Sequence, residues 1–319
     1  MKRFFAAALS LTLALSMLTA CGGAEETKTS TTATTATEAE AEGEGLKVAL
    51  CVTGAVNDMG FCQSAYEGLL LLEEKYGAEI AYTENVQPAD MAATFTDYAA
   101  TGYDIVFGHG FQFGDPALEV AAQYPDTIFV CTEAAAAADN VASYVMSCEQ
   151  GGYLEGVLAA RMTKTNKIGF VGPIEGASLI KIMNAFEDGA KSVNPDIEVQ
   201  TAWTGSFTDT ALAKEAAQAA GIYATGDSYD QHELAPETVL TSSMYNVPVV
   251  YDIAYNDIVS GNFKGEVKYL GMSEGVVEMA PYYDMEEVIP EEVRTELADL
   301  QAKIISGEFI VPLDETLRK

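Results

Sequence analysis

The sequence predicts an α/β fold with two doubly wound parallel-sheet lobes around a cleft. Short apolar segments with strand character alternate with helical patterns. Strands separated by helices of roughly 10–15 residues form right-handed βαβ units and parallel sheets. The pattern also restarts, because "KVALCVTG" opens a first set of segments and "KIGFVGPI" opens a second. From about Leu46 onward the chain is long enough for two compact lobes.

The individual elements follow from this alternation, since short apolar runs are typical of buried strands and longer periodic runs are typical of helices. The predicted strands are, in chain order, "KVALCV", "AEIAYTE", "YDIVFG", "TIFVCT", "VASYVMS", "KIGFVG", "EVQTAW", "IYATG", "TVLTSSM" and "VKYLGM". The predicted helices are Gln63 to Tyr76, Met91 to Ala100, Pro116 to Gln123, Gly151 to Thr163, Leu179 to Val193, Thr210 to Ala220, Pro248 to Ser260 and a last one that starts with Pro290 and acidic residues.

The N-terminus predicts a secretory signal in residues 1–21. Lys2 and Arg3 precede the apolar run "FFAAALSLTLALSML", and "LTAC" ends at Cys21. The Leu-Thr-Ala-Cys order resembles the lipobox of bacterial lipoproteins, which implies that Cys21 is lipidated and becomes the mature N-terminus. An ordinary signal followed by an incidental cysteine is the alternative.

Residues 22–45 read as a disordered acidic tether. The segment "GGAEETKTSTTATTATEAEAEGEG" has no large apolar side chain, so it cannot bury enough surface to offset the entropy of ordering. No other segment has the length and hydropathy of a membrane span. We therefore expect a lipid-anchored protein on the extracytoplasmic face of the cell membrane.

Composition excludes several function classes. A formal net charge of −31 argues against a nucleic-acid partner, whose phosphates would be repelled. The motif "GHGFQFG" would need glycine at Phe113 to match a dinucleotide turn, and "SLIK" has no accompanying "SDN" or "KTG". Neither the two histidines nor the cysteines have metal-ligand spacing. We expect no enzyme, no metal and no cofactor, and the four cysteines after Cys21 are either buried thiols or disulfides.

Several stretches carry a family likeness over nearly the whole chain after the tether. They are "NDMGFCQSAYEG", "GYDIVFGHGFQFGDPALEVAAQYPD", "NVASYVMSCEQGGYLEGVLAARMTKTNKIGFVG", "SVNPDIEVQTAWTGSFTD", "YATGDSYDQHELAPETVLTS", "APYYDM" and "KIISGEF". Together they resemble the basic membrane protein family, the substrate-binding lipoproteins of ABC importers that are similar to purine nucleoside receptors. The resemblance implies a type I periplasmic-binding-protein fold with three hinge crossings, an N-terminal lobe of residues 46–147 plus about 247–275, and a C-terminal lobe of 148–246 plus about 276–319.

The resemblance also implies ligand contacts on the first lobe, where loops at the carboxyl ends of strands face the cleft. Phe61 would stack on the base, with Asn57, Asp58 and Gln63 beside it, and Asp115 would face the base. Each has a structural alternative. Phe61 can plug the core of the lobe, Asp58 can be a helix N-cap, and Asp115 precedes Pro116 as a cap does.

On the second lobe the resemblance assigns Asp230 to the ribose hydroxyls, because a carboxylate accepts two donors at once. A solvated turn is the alternative for Asp230. Asn246 and Gly275, at later crossings, are further candidates for ligand contact.

The sequence departs from the family pattern at two places. Cys62 replaces an amide. In addition, a strand, loop and helix normally follow "AKEAAQAA", whereas here Ala220 meets Gly221 directly. The second lobe is therefore expected to be short of one βα unit, which removes an interior strand and one wall of the pocket.

The resulting prediction is an extracytoplasmic receptor that binds a purine nucleoside or related small molecule between its lobes. Lobe closure would present the ligand to an ABC permease, which works with an ATPase subunit. A sensory or adhesive surface lipoprotein that kept the fold without transport is the alternative. A nucleoside hydrolase is disfavoured, because no set of nucleophile, base and oxyanion hole is evident.

Overall fold

Strands and helices alternate along residues 45–58, 60–205 and 222–318, which the computed structural model describes. The strands are β1 (Lys47–Val52), β2 (Glu79–Thr83), β3 (Ile105–His109), β4 (Ile128–Thr132), β5 (Val141–Met146), β6 (Lys167–Gly172), β7 (Glu198–Trp203), β8 (Ala224–Ser228), β9 (Val239–Tyr245), β10 (Val267–Leu270) and β11 (Val277–Met279). The helices are α1 (Phe61–Tyr76), α2 (Met91–Ala100), α3 (Gly114–Ala121), α4 (Glu149–Met162), α5 (Ala177–Val193), α6 (Val247–Val259) and α7 (Glu291–Ile305). The signal segment, Cys21, most of the tether and the predicted helix Thr210 to Ala220 lie outside the described residues.

A six-stranded parallel sheet forms the first lobe, in the order β10-β5-β4-β3-β1-β2. Every residue from Val48 to Val52 is fully buried, as expected of an interior strand covered by helices on both faces. Val48, Leu50 and Val52 pack in a core that includes residues of α1 and α6. The alternate residues Ala49 and Cys51 pack with α2 and α3. Because successive side chains of a strand point to opposite faces of the sheet, β1 contributes to the core on both faces.

The second lobe contains two separate sheets among its described residues. β6 and β7 form a parallel pair, whereas β8 pairs parallel with β9 and the short strand β11 pairs antiparallel with β9. The sequence predicts a single doubly wound sheet that lacks one strand, so this division is a difference from the expectation. The expected shortage of one βα unit accounts for this division, because no strand of the described residues joins β6 to β8. Val171 in β6 is accordingly 57% exposed.

Helices α4 and α5 hold the second lobe together through a glycine contact. A Cβ placed on Gly156 would lie 2.0 Å from the backbone oxygen of Phe186, and a Cβ on Gly189 would lie 2.1 Å from that of Tyr153. Such distances require glycine, because real Cβ atoms do not approach a backbone this closely. The glycine of "YLEGV" therefore allows close packing of α4 against α5.

The C-terminal residues are fastened to α5. Asn184 donates to the carbonyl oxygens of Asp314 and Thr316 at 2.8 and 2.9 Å. The Arg318 guanidinium binds Asp188 with two hydrogen bonds of 2.6 and 2.9 Å. This bidentate geometry is the favourable one for an arginine and a carboxylate, and it places the end of the described chain on the second lobe.

The chain passes between the two lobes three times, and backbone hydrogen bonds join these passes. Ser147, after β5, donates to Leu270 at 2.8 Å, and Asn246, after β9, donates to Val276 at 2.8 Å. The third pass leads from β10 to β11. Three adjacent crossings are the geometry expected of a hinge.

Within the described ranges, no helix has both the length and the apolar character needed to cross a bilayer.

The four cysteines in the described part of the chain are all buried and unpaired, so the thiol alternative holds for them. Burial raises the pKa of Cys62 to about 11 and that of Cys131 to about 12, which keeps both thiols protonated and unreactive.

Candidate ligand-binding site

The loop between β1 and α1 is held in place by two carboxylates. Asp58 accepts hydrogen bonds from the backbone amides of Gly60, Cys62 and Gln63 at 2.9, 3.1 and 3.0 Å. It therefore satisfies free amides at the start of α1, as its capping alternative predicts. Glu84 accepts the amide of Val56 at 2.9 Å. The predicted helix begins at Gln63, whereas α1 begins at Phe61, so Phe61 and Gln63 both lie in its first turn. Asn57 stays exposed.

Phe61 and His109 form an aromatic pair at the carboxyl ends of β1 and β3. Their ring centroids are 3.8 Å apart with an interplanar angle of 34°, and the Phe61 side chain is half-buried. Sequence reasoning did not select His109. Its position in the sequence could have indicated a site residue, since His109 directly follows a predicted strand and directly precedes a glycine. Gly110 has a φ of 122°, which other residues rarely adopt.

The His109 ring is neutral and fixed. Burial lowers the pKa of His109 to about 3. Thr132 Oγ1 accepts the amide of Gly110 at 2.9 Å and shares a second hydrogen bond of 2.9 Å with His109 Nδ1. His109 therefore presents an uncharged flat surface to Phe61.

The carboxyl end of β3 adds an exposed acid and an exposed aromatic ring. Asp115 lies in the first turn of α3, whose N-cap residue is Phe113, so Asp115 does not occupy the cap position that its structural alternative predicts. Phe111 is 45% exposed in the preceding 3-10 turn. An exposed phenylalanine at this edge of the sheet is available for a surface contact, and the sequence analysis did not select it.

On the second lobe, the carboxylates in the last residues of β8 and just after it are already engaged. Asp230 accepts the backbone amide of His232 at 3.0 Å and the Tyr283 hydroxyl at 2.6 Å. Asp227 accepts the hydroxyls of Tyr245 and Ser228. Asp227 keeps access to solvent, yet the dense protein around its carboxyl raises its pKa by desolvation. Asp230 therefore faces a partner of its own lobe rather than an empty cleft.

The remaining two predicted residues meet at the crossings. Asn246 precedes α6, and its backbone amide donates to Val276, the residue after Gly275. Gly275 has a φ of 72°. The structure brings Asn246 and Gly275 together, and it brings Asn57, Asp58, Phe61 and Gln63 together. Asp115 and Asp230 belong to neither group.

One contact spans the cleft at its carboxyl-end loops. The Tyr229 hydroxyl, after β8, donates to Glu67 Oε2 of α1 at 2.7 Å. Glu67 Oε1 accepts the side-chain amide of Gln63 at 3.0 Å. Among the described residues, the side chains of this candidate site include no lysine and no arginine.

A buried ion cluster lies where the chain first crosses between lobes. The Lys181 ammonium of α5 is 2.6 Å from the Met146 carbonyl oxygen, 3.4 Å from Glu133 Oε2 and 3.7 Å from Glu149 Oε2. Burial opposes the charge of Lys181, but the two carboxylates outweigh it and raise the pKa of this side chain. Desolvation raises the pKa of both acids. The lysine of "SLIK" thus has a structural ion-pair role.

A cavity of about 540 Å³ lies elsewhere, at the edge strand β10. Its lining includes Tyr144, Asp257 and Lys268, and the Lys268 ammonium is 2.6 Å from Asp257 Oδ2. None of the predicted ligand residues lines it. Its walls are an edge strand and a loop rather than the carboxyl ends of strands, where ligands of open parallel sheets bind. Among described residues, no group of His, Cys, Asp and Glu is arranged to hold a metal ion.

Known proteins resemble this chain along most of its length. The model of the family described as ABC transporter substrate-binding protein, PnrA-like, matches residues 46–220 and 215–315. A transcriptional activator protein, med, of Bacillus subtilis is 32% identical over 263 residues, covering 74% of this chain and 82% of the relative. A purine-binding protein of Brucella abortus is 30% identical over 291 residues, covering 83% and 82%.

Solved structures agree in fold. An ABC transporter solute-binding protein of Aeropyrum pernix has a TM-score of 0.72 and 22% identity, covering 84% of this chain and 94% of that one. A transcriptional activator of the comK gene from Bacillus halodurans has a TM-score of 0.71 and 24% identity, covering 82% and 99%. Both support the predicted two-lobed fold.

The same comparisons locate the shortened lobe. The family match divides into two segments that meet at residues 215–220, where the sequence predicts a missing unit. The alignment with the Brucella protein has 291 positions but takes in 83% of the 319 residues, about 265, so about 26 positions face gaps in this chain. A βαβ unit takes roughly 30 residues. On its matched segments, its relatives and its fold, the chain belongs to the family of PnrA-like ABC transporter substrate-binding proteins.

Proposed function

We propose that the chain binds a purine nucleoside or a related small molecule between its two lobes and delivers it to an ABC permease. The observation that carries the proposal is the Phe61–His109 ring pair, 3.8 Å apart at the carboxyl ends of β1 and β3. A purine stacking on a rigid aromatic ring gains about 0.5–1.5 kcal/mol beyond burial. The purine-binding relative supports the same ligand class.

The groups around Phe61 fit a ligand that donates hydrogen bonds. Asn57 and Gln63 offer amides, and Asp115 offers a carboxylate, for the edge of the base. Asp230 is proposed for the ribose hydroxyls, in exchange for its hydrogen bond from Tyr283. Asp58 would position the loop through its three backbone contacts. Asn246 and Gly275 would line the crossing side.

We further propose the cellular setting. Substrate-binding proteins of ABC importers work outside the cytoplasm, and family membership supports that place for this chain. Residues 1–21 would be the lipoprotein signal, with Cys21 as the lipidated residue, and 22–45 the tether. The lobes would comprise 46–147 plus about 247–275, and 148–246 plus about 276–319. The protein partners are the permease and ATPase subunits. The proposal involves no nucleic acid and no chemical conversion of the ligand.

Titration calorimetry and thermal melting with a defined panel test this function. The panel comprises inosine, adenosine and guanosine, the free bases, ribose and the nucleoside 5′-monophosphates. A nucleoside at a hundred times its Kd stabilises the fold by about 2.7 kcal/mol. The monophosphates should bind less well, because the site side chains include carboxylates and no cation. Inosine recovered unchanged would agree with binding alone, and no response to any nucleoside would contradict the proposal.

The second candidate is a surface receptor that senses a solute without transporting it. It is favoured by the divided second lobe and by two similar proteins described as transcriptional activators. Uptake of radiolabelled nucleoside by cells with and without the gene separates the two functions. Binding without any gene-dependent uptake would favour the sensor.

A further inference from the structure

Glu67 and Tyr229 make a direct side-chain contact between the lobes. Glu67 belongs to α1, which packs against β1 of the first sheet and against the neighbouring helix α6. Tyr229 follows β8 of the second lobe and lies 162 positions away in sequence. Both residues come from the carboxyl-end side of their strands, which faces the cleft. Their hydrogen bond of 2.7 Å therefore closes the cleft from one lobe to the other.

The partners suit a durable but reversible contact. Desolvation and the neighbouring Glu67 carboxylate raise the pKa of Tyr229 to about 12, so the phenol remains a donor at physiological pH. A hydrogen bond to a charged acceptor is stronger than a neutral one. Glu67 is nonetheless solvent-exposed, so water can replace the phenol when the lobes part.

The contact reaches the candidate site through Gln63. Glu67 holds the nitrogen of the Gln63 side chain at 3.0 Å with one oxygen and the Tyr229 phenol with the other. Gln63 lies two positions after Phe61, and Asp58 fixes its backbone amide. The Glu67 carboxylate therefore takes part both in the contact between the lobes and in the orientation of the Gln63 amide.

We propose that Tyr229 and Glu67 form the closing contact of the two lobes and that, through Gln63, they position the amide beside the stacked ligand. Both are positioning residues, and the second part of the proposal rests on the proposed function. The first part concerns the protein without ligand. The two parts can be tested separately.

The test uses the full chain with spin labels at Leu118 and Val171, which are 40% and 57% exposed on opposite lobes. Double electron–electron resonance spectroscopy measures the distance between the two labels in the protein without ligand. Tyr229→Phe and Glu67→Ala should shift the distribution to longer distances, and the double variant should shift it no further. The control is Tyr76→Phe, which removes a phenol–carboxylate bond of 2.8 Å to Asp252 inside the first lobe. Equal distributions for Tyr229→Phe and Tyr76→Phe would overturn the closing contact.

Inosine is the probe for the second part. Its dissociation rate, measured by stopped flow, should rise about fivefold or more in Tyr229→Phe and Glu67→Ala, and stay within about twofold in Tyr76→Phe. If the variants open the lobes but leave the dissociation rate unchanged, the positioning role is wrong. If no nucleoside of the panel binds any form of the chain, the proposed function and the positioning role fail together, while the label distances still decide the closing contact.

Discussion

Phe61 is the residue on which the proposed site depends most. Truncation in Phe61→Ala removes the stacking ring, and we expect nucleoside affinity to fall at least about tenfold, equivalent to 1.4 kcal/mol. Titration calorimetry measures the loss. Phe61→Tyr keeps the ring and is the matched control, and a melting curve checks that each variant is folded. Unchanged affinity in a folded Phe61→Ala would place the ligand elsewhere.

Lys181 illustrates a different role at the residue scale, since its ammonium is a buried cation paired with two buried acids. In Lys181→Met, Glu133 and Glu149 lose their cation and must bury charge or take up protons. Removing one partner of a buried ion pair costs about 3–5 kcal/mol, which urea unfolding would report. The matched control is Lys191→Met, whose pair with Glu187 is half exposed, so its loss should cost about 0–1 kcal/mol. A similar loss of unfolding free energy in the two variants would show that the buried cluster contributes no more to stability than the exposed ion pair.

Most elements were predictable because their side-chain period is local. The prediction of Met91 to Ala100 coincides with α2, and the strand "KVALCV" coincides with β1. The strand β11 was missed because three residues are too few to show an alternation. The division of the second lobe into two sheets was also missed, although the missing unit behind it was predicted. Sheet continuity depends on which strands meet, which local patterns do not record.

The β6–β7 pair gives an element-scale prediction. Each of these two strands has a partner on one side only in the described chain, whereas β3 and β4 have partners on both. Two strands alone are marginally stable. We expect amides of 167–172 to exchange with deuterium about tenfold or more faster than those of 105–109 and 128–132. Equal protection would mean that the open edge of β6 is covered in solution.

At the scale of the whole molecule, the fold was predictable and the closure was not. The restart of the βαβ pattern predicts two lobes without any knowledge of contacts. The hydrogen bond between Glu67 and Tyr229 joins positions 162 residues apart, and no period links them. Likewise, the place of Asp230 after β8 gives no indication of its hydrogen bond from Tyr283, which comes from beyond the last crossing.

The pH dependence of stability is also a property of the whole molecule, because a net charge of −31 makes all carboxylates repel one another. One buried acid can be isolated from this background. Glu155 of α4 is buried and accepts the Ser243 amide at 3.2 Å. Burial, reinforced by Asp227, raises its pKa well above the ordinary value. The native state therefore keeps a proton that the unfolded state loses above about pH 4.3.

The sign of the effect follows from the protons bound in each state. Stability contributed by protonated Glu155 is full below the unfolded pKa and is lost as pH rises through the raised native pKa, at up to about 1.4 kcal/mol per pH unit. Glu155→Gln keeps an acceptor for Ser243 without a titrating proton. In urea unfolding from pH 5 to 8, the free energy of unfolding of the variant should increase relative to that of the original protein as pH rises. Glu84→Gln, which alters an exposed carboxylate that accepts the Val56 amide, is the control. A Glu155→Gln advantage that does not grow with pH would mean that this carboxyl ionises freely in the folded protein.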